Sequence, residues 1–253
     1  MPFPDLPARL RIVILAAACL PALQGCGAGG DLPDLAAVED VPTMKRTFFG
    51  FLQPIVVEEN QRIRAQREDI ETLQGRVAAG ESLGWLERRR LRRLAEEYEV
   101  PWNPDNPATV LATLDRRVDI IPPDLALTQA AKESGWGRSR FALEGNNLFG
   151  QWCYEPGCGL VPSNRSAGEQ HEVAAFSSVD QAIRRYMNNL NTHERYRAFR
   201  EKRAELRANE RPLSGPALVP GLLGYSERGE VYLDELQAMM RQNRDLLDEV
   251  ASG

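Results

Sequence analysis

The chain has 253 residues, enough for one full domain with extensions or at most two small domains. Hydrophobic residues make up 43% and charged residues 26%, so a sizeable core is available. The formal net charge of -5 argues against a nucleic-acid binder, which is usually basic.

The first 25 residues predict a signal peptide. Two arginines precede an apolar run, residues 12–23, which is too short to span a bilayer. The run ends in Leu-Gln-Gly-Cys26, which resembles the lipobox of bacterial lipoproteins. That resemblance implies a lipid on Cys26, with ordinary signal cleavage or a hydrophobic N-terminal anchor as alternatives. Gly27 after the cysteine favours the inner leaflet of the outer membrane, facing the periplasm.

Export also governs the interpretation of the other cysteines. Cys153 and Cys158 flank a Pro-Gly turn, and an oxidising compartment would let them close a short disulfide loop. Free thiols are the alternative. A zinc site needs about four ligands, and only His171 and His193 are present besides these cysteines. We therefore expect no metal and no other cofactor.

The N-terminal part divides into a tether, residues 26–42, and a helical extension, residues 43–106. Apolar residues at helical spacing predict a helix from position 43 to 73, with Pro54 breaking or kinking it. A second amphipathic helix is predicted around Leu91, and its arginine-rich face is interpreted as solvated.

Residues 107–210 are expected to form the main domain. Asn106 is a suitable N-cap for a helix that starts at Pro107, and the pair Pro122-Pro123 ends that helix and starts the next. Residues 145–176 lose helical periodicity, which predicts loops with one small hairpin. A capping box is predicted at Ser178 and Gln181.

Residues 211–253 are expected to pack on this domain. Positions 212–224 predict a loop, and positions 229–247 predict one last helix.

The segment Leu125 to Gly137 carries the clearest chemical signal. Its helix should stop near Gly135, because glycine is favoured just past a helix end. Glu133 therefore lies in the last turn, where the helix dipole and partial burial both raise a carboxyl pKa. A carboxylic acid with a raised pKa can protonate the leaving oxygen of a glycoside. On position alone, a solvated surface glutamate is the favoured interpretation.

The flanking residues favour the catalytic interpretation. Glu-Ser-Gly-Trp-Gly at 133–137 is followed by Asn-Asn-Leu-Phe-Gly at 146–150. Together they resemble the glucosaminidases of glycoside hydrolase family 73, which act on peptidoglycan, and most closely the Bax-type subfamily. The resemblance covers about residues 115–210 and, more weakly, Tyr-Ser-Glu-Arg-Gly at 225–229.

The resemblance implies a fold and an activity. The fold is α+β and mostly helical, lysozyme-like, with a substrate groove between a helical lobe and a small β-hairpin lobe. The activity is hydrolysis of the β-1,4 bond after N-acetylglucosamine in peptidoglycan glycan strands. We expect the protein to act as a monomer, with no nucleic-acid partner.

The resemblance also assigns candidate residues. Glu133 is the general acid, and four positions line the groove or hold its wall: Asn146, Asn147, Phe149 and Gly150. Glu169 and Glu172 are candidates for a second catalytic carboxylate, with Glu155 as a further one, and each also fits a surface residue. Tyr196 matches a family tyrosine that orients substrate or water, although an anchoring role fits equally.

Aromatic faces bind the apolar face of a sugar ring, which makes Trp136, Trp152 and Tyr154 candidate substrate contacts. Trp136 also fits a core residue beside the helix end. A series of arginines could meet carboxylates of the peptide stems, but mostly predicts solvated helix surface: Arg184, Arg185, Arg195, Arg197, Arg200 and Arg203.

Two other functions remain open. A lytic transglycosylase also uses a lone glutamate, but it forms an anhydro ring instead of adding water. A wall-binding lipoprotein would keep the groove without catalysis, and the uncertain second carboxylate keeps that alternative open.

Overall fold

The computed structural model describes residues 31–163, 165 and 168–252. The predicted signal peptide, Cys26 and the first residues of the tether lie outside the described residues. Within the described ranges, none of the helices combines the length and the hydropathy needed to cross a membrane.

Helices dominate the described part of the chain. The α-helices are α1 (Val41–Ala78), α2 (Trp85–Glu97), α3 (Pro107–Arg117), α4 (Pro123–Ser134), α5 (Arg140–Gly145), α6 (Val179–Thr192), α7 (Arg197–Ala208), α8 (Gly215–Leu218), α9 (Glu230–Gln242) and α10 (Arg244–Ser252). Short 3-10 turns cover Glu194–Tyr196 and Val219–Leu222. The strands are β1 (Trp152–Cys153), β2 (Gly159–Leu160) and β3 (Glu172–Ala174).

The longest helix, α1, forms the centre of the core and packs against α3, α4, α6 and α10. Pro54 was expected to break or kink this helix, and the break does not occur, because α1 runs without interruption past it. Pro54 is exposed, and so is Gly50, whose carbonyl would have accepted the missing hydrogen bond. Water can therefore satisfy that carbonyl, which makes the proline tolerable at this position.

Several predicted helix ends are confirmed. The side chain of Asn106 accepts a hydrogen bond from the Thr109 amide at 3.2 Å, and α3 starts at Pro107. Ser178 caps α6 through the Gln181 amide at 3.2 Å. The second bond of the expected capping box differs from the usual pattern. The side-chain Oε1 of Gln181 accepts from the amide of Ser177, at 2.8 Å, and not from the amide of the N-cap residue Ser178.

The C-terminal part is more broken than its sequence predicts. The expected loop at 212–224 contains α8 and the 3-10 turn that follows it. The expected single helix at 229–247 is interrupted at Asn243, which caps α9, and α10 begins at Arg244. Tyr232, Leu236 and Met240 of α9 are buried as the pattern indicates.

The small lobe is a three-stranded antiparallel sheet in the order β1-β3-β2, one strand larger than the expected hairpin. Trp152 pairs with Val173, and Gly159 pairs with Ala174. The predicted fold class is confirmed: the protein is α+β, mostly helical and lysozyme-like, with a groove between the helical lobe and this sheet.

A buried charge cluster joins α7 to the connection between α3 and α4. Arg203, only 1% exposed, donates to the carbonyl oxygens of Arg117 and Asp119, each at 3.0 Å. Burial lowers the pKa of Arg203 to about 10. Burial alone would raise the pKa of Asp119, but the hydrogen bond from Arg207 and the charge of Arg203 lower it. This cluster fixes the chain just before α4.

Candidate active site

The C-terminal turn of α4 sets the direction of Glu133. Gly135 ends the helix in the left-handed conformation, with φ of 59°. The Ser134 hydroxyl donates to the Ala130 carbonyl at 2.6 Å and accepts from the Gly137 amide at 2.7 Å. The chain therefore leaves the helix axis at once, and the Glu133 side chain is left at the edge of a groove.

The groove has a volume of about 790 Å³ and runs between the helical lobe and the sheet. Its lining residues are Glu133, Phe149, Gly150, Gln151, Trp152, Cys153, Tyr154, Glu155, Cys158, Arg185, Tyr186, Asn189, His193, Arg195, Tyr196, Tyr225 and Glu227. Its aromatic and polar lining suits a ligand with both apolar faces and hydroxyl groups, such as a carbohydrate.

The Glu133 carboxyl group is largely withdrawn from water. Burial raises its pKa, and the neighbouring Tyr232 hydroxyl and Lys132 charge only partly oppose this. Lys132 is itself engaged by Glu235 at 2.6 Å. Oε1 of Glu133 is buried and has no hydrogen-bond partner among the residues that the structure describes. Glu133 is therefore a groove-lining carboxyl group with a raised pKa and one unused oxygen.

A buried hydrogen-bond chain behind Glu133 has a defined direction. The Tyr186 hydroxyl donates to Gln129 Oε1 at 2.6 Å, and Gln129 Nε2 donates to the Tyr232 hydroxyl oxygen at 2.9 Å. Tyr232 accepts from Gln129, so its own proton is free to point toward the Glu133 carboxyl. Gln129 thus orients the phenol that neighbours the acid.

The segment after α5 holds the floor of the groove. Asn146 adopts the left-handed conformation that ends α5, and its side chain donates to the Phe176 carbonyl at 3.0 Å. The buried Asn147 amide donates to the carbonyls of Gln151 and Ala174, each at 2.8 Å. These bonds tie the floor to the sheet and occupy both asparagine side chains.

Phe149 and Gly150 continue this segment into the groove lining. The Phe149 ring stacks on Tyr186 with centroids 3.8 Å apart. Gly150 has φ of +64°, a conformation that favours glycine and leaves the backbone open to the groove.

The sheet presents the opposite wall. Trp152 is 57% exposed and stacks on His171 at 4.2 Å, and Tyr154 is 70% exposed. Cys153 and Cys158 are joined by a disulfide that closes the turn between β1 and β2. Both sulfurs are thereby bonded to each other and are not available as thiolate metal ligands, although Glu172 lies beside them.

Comparison with known proteins gives this geometry a family. The family described as mannosyl-glycoprotein endo-beta-N-acetylglucosaminidase, or Glucosaminidase, matches residues 109–245. Protein bax of Escherichia coli (strain K12) is 35% identical over 218 residues, which cover 85% of this chain and 76% of that protein. The chain belongs to the glucosaminidase family. The predicted resemblance is confirmed, and no solved structure matches the chain.

Membership in the glucosaminidase family makes the protein a glycosidase and directs attention to the groove carboxylates. Glu133, Glu155 and Glu227 all line it. The two predicted second carboxylates do not. Glu172 accepts from the amides of Gly157 at 3.1 Å and Gly159 at 2.8 Å, so it holds the disulfide turn.

Glu169, the other candidate, lies 3.6 Å from His171 and outside the groove lining. Its carboxylate is 51% exposed and turned to that histidine instead of to Glu133. Glu155, the third candidate, is the member of that group that the structure brings to the groove.

Trp136 is the clearest correction among the substrate contacts. Its ring packs against Phe48 at 5.7 Å and Phe49 at 5.1 Å, and Lys45 lies 4.8 Å from its centroid. All three partners belong to α1, and neither they nor Trp136 are among the residues that line the groove. The left-handed turn at Gly135 and Trp136 sends the ring there.

Tyr196 does line the groove, next to Tyr225, whose ring centroid is 5.8 Å away. Burial raises the pKa of Tyr196, so its hydroxyl stays protonated and can donate. Its role in catalysis stays a prediction. Sequence reasoning gave no role to Tyr225 and Glu227, although both belong to the Tyr-Ser-Glu-Arg-Gly segment that carries part of the resemblance.

Proposed function

We propose that this protein is an endo-β-N-acetylglucosaminidase that hydrolyses peptidoglycan glycan strands, with Glu133 as the general acid. The observation that carries the proposal is the state of Glu133. Burial raises its pKa, its Oε1 has no hydrogen-bond partner among the described residues, and Glu133 lines an open groove together with exposed aromatic rings of the sheet.

The chemistry follows from that placement. A glycan strand lies along the groove with its apolar ring faces on Trp152 and Tyr154. Glu133 gives its proton to the bridging oxygen as the bond to the anomeric carbon breaks, and water then adds to that carbon. The Tyr232 hydroxyl, oriented by Gln129, stabilises the carboxylate that Glu133 becomes.

Hydrolysis also needs a second group that assists the attack on the anomeric carbon from the opposite face of the sugar ring. Glu155 and Glu227 are the other carboxylates that line the groove, and either can accept a proton from an attacking water. The substrate's own acetamido group is the alternative nucleophile. Glu172 is excluded from this role in the proposal, because backbone amides already occupy its oxygens.

The test is digestion of purified sacculi, with mass spectrometry of the products after borohydride reduction. Glu133→Gln keeps the shape of the side chain but has no proton to give, and it should abolish product formation. Glu155→Gln and Glu227→Gln separate the two candidate second groups, and Glu172→Gln controls for loss of a structural carboxylate.

The nature of the products decides the reaction. Reduced N-acetylglucosamine ends support hydrolysis at the proposed bond. Anhydro-muramic ends would assign the protein to the transglycosylases. Binding to sacculi without any product would contradict catalysis and favour a wall-binding function.

We further propose that the chain is exported and anchored through a lipid on Cys26 in the outer membrane, acting as a monomer. The export and the lipid anchor rest on the lipobox-like sequence alone. Fatty-acid labelling of the cellular protein, compared with Cys26→Ala, tests it: a label that survives the substitution would refute lipidation at this position.

A further inference from the structure

The arginines of α6, α7 and the 3-10 turn between them fall into two groups. Five have structural partners, through side-chain ion pairs or through backbone carbonyls. They are Arg184 with Glu59 at 3.1 Å, Arg197 with Glu194 at 3.4 Å, Arg200 with the His193 carbonyl at 2.8 Å, Arg203 with the Asp119 carbonyl at 3.0 Å, and Arg207 with Asp119 at 2.7 Å.

Arg185 and Arg195 form the other group. Both are exposed and both line the groove, the first from α6 and the second from the 3-10 turn before α7. Within the described residues neither guanidinium has an ion-pair or hydrogen-bond partner. The Arg195 backbone amide donates to His193 Nδ1, but its side chain does not share in that bond. The groove wall thus carries two positive charges that the fold itself does not use.

An unpaired guanidinium is a forked donor that matches a carboxylate with two parallel hydrogen bonds. Asn189 and His193 lie along the same side of the groove and add neutral or weakly basic polar groups. Besides the general acid Glu133, the acidic lining residues are Glu155 and Glu227, and their carboxylates would repel an anion. An anionic substituent in the groove is therefore directed to the arginine side.

The backbone of an N-acetylated hexosamine strand is uncharged. Negative charge on such a strand comes from substituents, namely the lactyl carboxylate or the carboxylates of an attached peptide. A neutral glycan would leave both guanidinium groups without a partner, whereas a carboxylate-bearing glycan satisfies them.

We propose that Arg185 and Arg195 form a carboxylate subsite that selects glycan strands with acidic lactyl or peptide substituents. The inference rests on the proposed function and assigns a substrate preference to the same groove.

The test compares Arg185→Ala/Arg195→Ala with Arg184→Ala/Arg197→Ala, which removes the same charge from two exposed arginines that do not line the groove. Three substrates are used: peptide-bearing strands, strands stripped of peptide that retain the lactyl carboxylate, and neutral N-acetylglucosamine oligomers. The ratio of kcat/KM for carboxylate-bearing to neutral substrate should fall about tenfold or more in the first variant, mainly through KM. The control variant should keep the ratio of the wild type.

Binding of each strand is measured in parallel with both variants in a Glu133→Gln background. If the wild-type protein cleaves nothing, the proposed function fails, and the binding comparison still decides the subsite. The lactyl carboxyl is an amide wherever a peptide is attached, so the two anionic substrates carry different carboxylates. A loss confined to peptide-bearing strands assigns the contact to a peptide carboxylate, a loss confined to stripped strands assigns it to the lactyl carboxylate, and a loss on both shows that the subsite accepts either one. Equal losses on anionic and neutral substrates, or no loss, would overturn the inference.

Discussion

The packing of the turn after α4 against Leu35 and α1 predicts a costly glycine substitution. A Cβ added at Gly137 would lie 2.9 Å from Leu35 Cδ1 and 3.1 Å from Phe48 Cε2. The residue also has φ of +73°, where a side chain costs about 1–2 kcal/mol. Overpacking of a filled core adds about 1–3 kcal/mol. We expect Gly137→Ala to lower the free energy of unfolding by about 2–5 kcal/mol.

Gly135→Ala is the matched control. Gly135 has φ of +59°, but an added Cβ would meet no atom within 4 Å. It should therefore lose only the backbone contribution of about 1–2 kcal/mol. Urea unfolding followed by circular dichroism measures both variants. Equal losses at the two positions would refute the reasoning, because they would mean that Gly137 is not tightly packed against α1.

Three further predictions concern the charged groups and the disulfide. Because burial raises the pKa of Glu133, the folded state binds more protons than the unfolded state above pH 4.5. Glu133→Gln should thus stabilise the protein at neutral pH but not below pH 4.5. Unfolding midpoints measured across this pH range test the prediction, and a gain in stability that does not depend on pH would contradict it. Asp119→Asn leaves Arg203 buried without its counter-charge and should lower the free energy of unfolding in urea by about 3–5 kcal/mol. A loss under about 1 kcal/mol would contradict a stabilising role of this buried charge cluster. Replacing Cys153 and Cys158 with serine should cost about 2 kcal/mol or less, since the closed loop is short, yet it should lower kcat/KM on sacculi because both residues line the groove. Unchanged kinetics would show that the turn does not contribute to substrate binding.

The sequence predicted best those features whose causes are local. The position of Glu133 in the last turn of a helix follows from Gly135 two residues later. The caps at Asn106 and Ser178 likewise depend on contacts within three residues. Such interactions are formed by neighbours in the chain, so the pattern alone indicates them.

Features that depend on distant contacts were beyond the sequence. Trp136 could be assigned to the groove or to the core, and its partners Phe48 and Phe49 lie far away in the chain. From the sequence, Glu172 is a candidate catalytic carboxylate. In the structure it accepts hydrogen bonds from two backbone amides of the turn between β1 and β2.

The hydrogen-bond chain and the unpaired charges of the groove could not be predicted from the sequence either. Gln129, Tyr186 and Tyr232 come from three different helices, and no spacing in the sequence relates them. Only the structure distinguishes Arg185 and Arg195 from the neighbouring arginines, because the sequence around them predicts an ordinary basic helix surface.

The central position of α1 limits how this protein can be shortened. The family match begins at residue 109, and a fragment cut there would lose α1 with its buried Phe48, Leu52 and Ile55. The faces of α3 and α4 that pack on α1 would then meet water, including the side that supports Trp136. Dissection, fusion or immobilisation of the enzyme should therefore preserve the chain from the start of α1, even though the recognisable motifs all lie downstream.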